Sequence, residues 1–209
     1  MNATIKYEGR DVTFYDVDET SHIGNCLLNV CWYEEKNLRI IHDLKVEGTY
    51  VDVGAHWGTH CIYFALFCPS DRVYAFEPHP SYFSTLLKNL DENKIIKVRA
   101  FKTALVEAPG IKLPANEGWN YDTEPLDSFG LSDVKILKID VEGMELRVLQ
   151  GAKKTLKTVE HVFLEVWPEA TCKERGLEYP MQAITGFLAS YGLKYKQAMP
   201  WEDLHWWSK

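Results

Sequence analysis

Acidic and glycine residues stand together at two places where buried strands are expected to end. The first is the segment Asp52-Val53-Gly54-Ala55-His56-Trp57-Gly58, and Glu77 follows it by about 20 residues. The second is the segment Lys138-Ile139-Asp140-Val141-Glu142-Gly143. Carboxylates at strand ends can accept hydrogen bonds from a ribose, attract a cation or remove a proton, so both segments are candidates for ligand chemistry.

The first segment differs from a dinucleotide-binding turn in its charge. A G-x-G-x-x-G turn presents glycines to a pyrophosphate, whereas this chain has Asp52 where the first glycine would fall and its last glycine one place late. A carboxylate there repels phosphate but complements the ammonium and sulfonium of S-adenosylmethionine. Gly54 and Gly58 allow close approach of backbone, and Glu77 is placed to accept the ribose hydroxyls. Each acid alone is also typical of an exposed or capping residue, so the prediction of S-adenosylmethionine depends on the pair.

The second segment has the residue types that methyl transfer to a hydroxyl requires. Displacement at a sulfonium mainly needs an aligned acceptor oxygen and removal of its proton. Lys138, Asp140 and Glu142 alternate, so they share one face if the extended conformation persists. We expect Asp140 to act as general base or to orient the acceptor, Glu142 to position it or bind substrate, and Lys138 to lower a neighbouring carboxylate's pKa or hold an acceptor oxygen. Glu165, ending a later strand, is a weaker candidate.

A simpler interpretation of the same acids remains open. Asp140 and Glu142 would also stabilise the N-terminus of a helix starting near Gly143, by roughly 0.3–1 kcal/mol each. His56 and His60 are four residues apart, but no H-E-x-x-H motif is present and a zinc pair is not expected. Clustered carboxylates are compatible with Mg²⁺ or another hard cation, although nothing in the sequence requires a metal.

These segments must be positioned by a largely parallel sheet, because apolar runs of strand length alternate with segments of helical period. Strands are predicted at 49–53, 72–76, 96–101, 134–139 and 161–166. Helices are predicted at 59–67, from Pro80 through Leu90, from near 143 through Leu156, and at 181–191. A loop-rich stretch at 107–129 separates the two halves. The first 48 residues predict a strand pair at 4–16 and a helix at 33–44.

Length and composition predict one globular domain, and the pattern along the chain indicates that residues 1–48 elaborate the domain formed by residues 49–209. Hydrophobic residues make up 46% and charged residues 25% of the 209-residue chain. The net charge of −7 and the lack of a basic run argue against nucleic acid as partner. Five cysteines without a C-x-x-C pair, no signal-like N-terminus and no long apolar run predict a cytoplasmic protein without a membrane span.

Four segments of the chain resemble the FkbM family of methyltransferases. They are YVDVGAHWGTH, RVYAFEPHPSYFSTLLKNL, ILKIDVEGMELRVLQGAKKTL and VFLEV, in the same order over most of residues 45–167. The resemblance implies a Rossmann-like class I methyltransferase with a doubly wound, mostly parallel seven-stranded sheet and helices on both faces. A comparable domain in glycan-modifying proteins of large algal viruses is a narrower resemblance.

The resemblance also implies roles for individual residues. Asp52, Gly54, Ala55 and Gly58 would hold the methionine part of the cofactor, Glu77 with Pro78 the ribose, and Thr103, Ala104 and Leu105 would lie near the adenine. The family often has Asn where this chain has His56. Its members mostly methylate hydroxyls of sugars, polyketides and other small molecules, so the expected acceptor is a small-molecule or glycan hydroxyl. A homodimer is compatible with this size of methyltransferase.

Two other functions remain open from the sequence. A dehydrogenase using NAD or NADP would bind its cofactor at the same sheet edge, and Asp52 with the displaced glycine argues against it. A non-catalytic module could use the aromatic C-terminal tail to bind a partner or a glycan. Tryptophan side chains can form flat walls for a sugar ring, and Trp57 and Trp167 are the best placed to do so, although most are expected in the core.

Overall fold

The structure is a computed structural model that describes residues 1–113, 121–200 and 203–209. The N-terminal elements are β1 (Ala3–Tyr7), β2 (Arg10–Phe14), α1 (His22–Leu28) and α2 (Glu35–Asp43). They are followed by β3 (Gly48–Val53), α3 (Thr59–Phe67), β4 (Ser70–Phe76), α4 (Pro80–Glu92), β5 (Val98–Phe101), β6 (Ala104–Leu105) and β7 (Thr123–Glu124). The C-terminal elements are β8 (Val134–Ile139), α5 (Glu145–Gln150), β9 (His161–Glu165), α6 (Glu169–Glu174), α7 (Met181–Ala189), β10 (Lys194–Ala198) and β11 (Leu204–Ser208).

The central sheet has seven strands in the order β10-β11-β9-β8-β3-β4-β5. The five strands from β9 to β5 run parallel, whereas β11 pairs antiparallel with β9, and β10 antiparallel with β11. From β3 the chain builds outward through β4 and β5, and then returns to build the other half through β8 and β9. The strand order therefore reverses between β3 and β8, where open α/β sheets bind ligands. This topology confirms the predicted doubly wound α/β fold.

The central strands are stable in this position because both faces of the sheet are covered. All six residues of β3 are buried, and β8 is buried at every position except Lys135. Tyr50 packs into one apolar cluster while Val51 and Val53 pack into the other, as expected for alternating side chains. The first cluster also contains Ile5, Phe14 and other residues of the N-terminal segment. Residues 1–48 thus share a core with the sheet, although their hairpin forms a separate two-stranded sheet.

Several predicted boundaries were wrong for local reasons. The strand predicted at 96–101 begins at Val98 instead, and Ile96, at the start of the predicted range, is 95% exposed. The helix predicted through Leu156 ends at Gln150, and the next residue, Gly151, lies so close to the carbonyl oxygen of Val106 that a side chain there would clash. A short 3-10 turn at Thr155–Lys157 then buries the remaining apolar side chains. The short helices α1 and α6 and the C-terminal strands β10 and β11 were not predicted.

The loop-rich stretch at 107–129 has some regular structure. It contains β7, which pairs parallel with β6, and a 3-10 turn at Leu126–Phe129. Pro114 and Gly118, two of the residues that mark this stretch as a loop, lie outside the described residues. Within the described part of the chain, no helix is both long and apolar enough to cross a membrane. Location and oligomeric state stay predictions.

Candidate active site

A cavity of about 560 Å³ opens at the carboxyl ends of the parallel strands, where the strand order reverses. Most of the predicted site residues line it, namely Gly54, Glu77, Pro78, Thr103, Ala104, Asp140 and Glu142. The apolar part of the wall includes Phe76 and Leu105 on the side where the adenine was expected. Ile23 and Tyr33 line the cavity from the N-terminal segment. No sequence pattern had indicated Ile23.

Four predicted site residues do not line this cavity. Asp52, Ala55, Gly58 and Lys138 are all buried beneath its floor. The ammonium of Lys138 lies 3.6 Å from Oδ1 of Asp52, and neither carboxylate oxygen of Asp52 has a hydrogen-bond partner among the described residues. Because Asp52 is fully buried, its charge acts on the cavity through Lys138 rather than by direct contact with a ligand there. A direct contact of Asp52 with the cofactor stays a prediction.

Two glycines shape the turn between β3 and α3. Gly54 has a φ of +81°, and a side chain there would overlap the carbonyl oxygen of Asp140, so the ends of β3 and β8 touch at this point. Gly58, the residue before α3, has a φ of +91°. A side chain on Gly58 would meet the side chain of Leu86 in α4. Gly54 therefore brings the two candidate segments together, and Gly58 allows the helices to pack.

Glu77 is held in the cavity wall by backbone donors. Its Oε2 accepts a hydrogen bond from the N–H of His56 at 2.8 Å, and its Oε1 accepts one from the N–H of His79 at 2.8 Å. Burial nevertheless raises the pKa of Glu77 to about 7, against the effect of these two donors. The carboxyl group is thus fixed in orientation and retains lone pairs for hydroxyl donors of a ligand.

An aromatic stack lies beside Glu77 and was not predicted. The ring of Tyr82 lies 4.0 Å from that of His56 and 4.2 Å from that of His79, measured between centroids. Burial lowers the pKa of His56 to about 4, so its imidazole is neutral near pH 7. The φ of His56 is +49°, a left-handed conformation in which Asn and His are enriched among residues other than glycine.

On the opposite side of the cavity, three acids from two strands converge. Carboxylate oxygens of Asp140, Glu142 and Glu165 all lie within 4.8 Å of one another. The predicted extended conformation does not persist, since β8 ends at Ile139 and Glu142 has a φ of +56°. The acids meet because β9 pairs parallel with β8, so that Glu165 ends its strand beside Asp140. Glu165 is therefore a more central residue than the sequence indicated.

The charges in this acidic cluster are unequal. Burial opposes ionisation of Asp140, but the Lys138 ammonium, 3.1 Å from Oδ2, outweighs it and lowers the pKa of Asp140. Burial and the neighbouring Asp140 strongly raise the pKa of Glu165. The pair thus holds one proton near neutral pH, with Asp140 ionised and Glu165 protonated. Burial and Asp140 also raise the pKa of Glu142, which is nonetheless exposed.

Two possible metal sites were considered from the sequence, a pair of histidines and a cluster of carboxylates. The imidazole of His60 is buried and lies 3.3 Å from Glu34, so it does not pair with His56. Among the residues described, the acids Asp140, Glu142 and Glu165 form the group whose donors suit a hard cation. No further feature of that group points to an ion.

The tryptophans do not form a wall of the cavity within the described chain. Trp57 packs in the core, and Trp167 is covered by the guanidinium of Arg175 at 3.9 Å from its ring centroid. In the C-terminal hairpin, Trp207 is completely buried and Trp206 is partly buried. Trp119 and Trp201 lie outside the described residues. The aromatic tail is thus largely a structural element.

The charge of the cavity discriminates between ligands. Glu77, Asp140, Glu142 and Glu165 supply carboxyl groups, whereas the described lining residues include no Lys and no Arg. A pyrophosphate would meet no positive side chain in these walls, and acids would repel it. A ligand with a sulfonium and an ammonium meets complementary charge, apolar walls and a fixed carboxyl group for its ribose. The residues present therefore fit S-adenosylmethionine.

Comparison with protein families gives one match over most of the chain. The Methyltransferase FkbM domain matches residues 52–192. This range begins at the buried acid of β3 and includes the cavity residues contributed by β4, β8 and β9. It leaves out the N-terminal segment that contributes Ile23 and Tyr33.

Individual relatives agree with that match. The chain is 29% identical over 145 residues to the hexuronic acid methyltransferase AglP of Haloferax volcanii, covering 61% of this chain and 59% of the relative. The chain therefore matches less than two thirds of that relative's length. The fold is similar to that of a methyltransferase FkbM from Methylobacillus flagellatus KT, with a TM-score of 0.59, 18% identity, and coverage of 78% of this chain and 44% of that one. It is also similar to M. capricolum TrmK in complex with S-adenosyl-homocysteine, with a TM-score of 0.52, 12% identity, and coverage of 82% and 67%.

Proposed function

This chain belongs to the FkbM methyltransferase family, and on that premise we propose that it transfers a methyl group from S-adenosylmethionine to a hydroxyl of a sugar or glycan. The observation that carries the proposal is the cavity at the sheet edge, which has carboxyl groups on two sides and no basic side chain among its described lining residues. The name of the relative AglP supports a sugar as the class of acceptor.

In this proposal the two sides of the cavity have different tasks. Glu77, oriented by two backbone N–H groups, accepts hydrogen bonds from the ribose hydroxyls. Pro78 lies beside it, and Thr103 and Ala104 belong to the wall near the adenine. Gly54 leaves room for the methionine part, while Ala55 and Gly58 support this turn from beneath. When bound, S-adenosylmethionine supplies an electrophilic methyl group.

The acidic side performs the proton chemistry. Asp140 is kept ionised by Lys138, so it can accept the proton of an acceptor hydroxyl. Asp52 holds Lys138 from the other side and thereby fixes the position of the ammonium. Glu165 is protonated and can donate a hydrogen bond, which keeps Asp140 oriented. Glu142, at the exposed end of the cluster, contacts the acceptor.

Binding and turnover measurements test the proposal. Calorimetric titration should show binding of S-adenosylmethionine and S-adenosylhomocysteine, and no comparable binding of NAD or NADP. Incubation with neutral and acidic sugars should yield a product heavier by about 14 Da, the mass of one added CH₂ group. Tight binding of NAD without S-adenosylmethionine binding would favour the oxidoreductase. Cofactor binding without transfer to any hydroxyl compound would favour the non-catalytic module.

A further inference from the structure

Among the described lining residues, the acidic side of the cavity has no Lys or Arg to offset its charge. Asp140, Glu142 and Glu165 lie within 4.8 Å of one another by their oxygens, on the side where the acceptor must meet its base. The nearest ammonium, that of Lys138, is only 1% exposed and lies between two carboxylates, at 3.1 Å from Asp140 and 3.6 Å from Asp52. It can therefore neutralise Asp140 but cannot reach a ligand.

Other basic groups do not fill this role. Arg175 is stacked over the ring of Trp167, outside the described lining residues, and its charge offsets the effects of burial and Asp140 on the pKa of Glu142 only in part, since that pKa is still raised. His56 and His79 line the opposite side, and burial keeps His56 neutral by lowering its pKa to about 4. The two undescribed segments, with sequences PANEGWN and WE, contain no Lys and no Arg. An anionic acceptor would thus meet carboxyl groups and no Lys or Arg among the described lining residues.

We propose that the acceptor site takes an uncharged sugar and rejects a hexuronic acid, and that Glu142 is the residue that makes this selection. The inference rests on the proposed function, and it separates this chain from the relative AglP, whose name gives a hexuronic acid as its substrate. Glu142 is the selecting residue because it is the exposed member of the acidic cluster. Its carboxyl group therefore faces the acceptor.

The expected discrimination follows from Coulomb's law. Two carboxylates a few ångströms apart near a protein surface repel each other strongly enough to change a rate at least about tenfold. A hydroxyl or a carboxamide on the same sugar carries no charge and meets no such barrier. The carboxylates also accept hydrogen bonds from sugar hydroxyls, so the same residues favour the neutral ligand.

The experiment compares three acceptors that differ at one position, methyl glucoside, methyl glucuronide and methyl glucuronamide, together with the galacto-configured set. Methyl transfer is measured by mass spectrometry at saturating S-adenosylmethionine. We expect kcat/KM for the uronamide and the glucoside to exceed that for the uronate at least about tenfold. An equal or greater kcat/KM for the uronate would overturn the inference and leave the proposed function intact. Transfer to none of these sugars, with cofactor bound, would overturn both.

A substitution of Glu142 tests whether this residue discriminates between charged and uncharged sugars. Glu142→Gln should raise the ratio of uronate to uronamide kcat/KM about tenfold, because it removes the carboxylate that faces the acceptor while keeping the size of the side chain. Glu92→Gln, at the exposed end of α4, changes net charge equally and should leave the ratio unchanged. If both variants alter the ratio alike, or neither does, Glu142 is not the selecting residue.

Discussion

The two sides of the cavity hold a buried carboxyl group by different interactions. Glu77 is held by N–H groups of residues 56 and 79, so backbone fixes it and no charged side chain is needed. Asp140 is held by the side chain of Lys138, and Lys138 is held in turn by Asp52. One side therefore has a carboxyl group near its titration point, and the other has a carboxylate that stays ionised.

This difference matches the two tasks proposed for the cavity. Hydrogen bonds to a ribose require orientation, which rigid backbone donors supply. Removal of a proton requires a carboxylate that stays ionised until it reacts, which a buried ammonium supplies. The comparison predicts that changes on the Asp140 side affect turnover and stability, whereas changes at Glu77 affect cofactor affinity.

The largest effect is expected for Asp140→Asn. The amide keeps the size of the side chain but cannot accept the proton, so kcat should fall by about 10²–10⁴. The affinity for S-adenosylmethionine should change by no more than about threefold, as measured by calorimetry. Asp71→Asn, on an exposed position of β4, is the matched control. If Asp140→Asn lowers cofactor affinity as much as turnover, the two sides of the cavity do not have separate tasks.

The next effect is a loss of stability in Lys138→Met. This change leaves Asp52 buried without its charged partner, which should lower the free energy of unfolding by about 3–5 kcal/mol in chemical denaturation. Lys135→Met is the control, since Lys135 forms partly exposed ion pairs with Asp133 and Glu160 and should cost no more than about 1 kcal/mol. Adding Asp52→Asn to Lys138→Met should recover part of the loss. If the double variant is less stable than Lys138→Met alone, the pairing of Lys138 with Asp52 is contradicted.

A smaller effect is expected for Glu77→Gln. Loss of the ionised acceptor should weaken S-adenosylmethionine binding by roughly tenfold to a hundredfold. At saturating cofactor, kcat should stay close to that of the unchanged protein, because the acidic cluster is not altered. Glu92→Gln again serves as the control. If kcat falls while affinity is retained, the assignment of Glu77 to the ribose is wrong.

The smallest effect is a pH dependence of cofactor affinity. The pKa of Glu77 is about 7 in the free protein, so the carboxyl group is mainly protonated below that pH and mainly ionised above it. Since ligand hydroxyls bind the ionised form better, affinity should rise up to about tenfold between about pH 6 and about pH 8. Any titration of the ligand itself occurs equally with Glu77→Gln. The same pH dependence in this variant would show that Glu77 is not the titrating group.

Sequence reasoning succeeded where the relevant interactions are local. The predicted strand at 134–139 agrees with the structure at both ends, and its burial at all positions but one is typical of a central parallel strand. The position of Glu77 after a strand, and of Gly54 in the preceding turn, could be read from residue type and spacing. Reasoning failed for the helix after Gly143, which ends at Gln150, next to a close approach of Gly151 to Val106 that spacing along the chain does not report.

The sequence by itself determined a largely parallel α/β sheet and the acids at its carboxyl edge, because side-chain periodicity and glycine positions act within a few residues of the chain. Only the tertiary structure decided which acids face the cavity. Asp52 and Lys138 are buried beneath it, whereas Glu165 joins Asp140 and Tyr33 closes the wall. The physical reason is that burial and charge pairing depend on residues brought together from separate strands, and spacing along the chain does not report those distances.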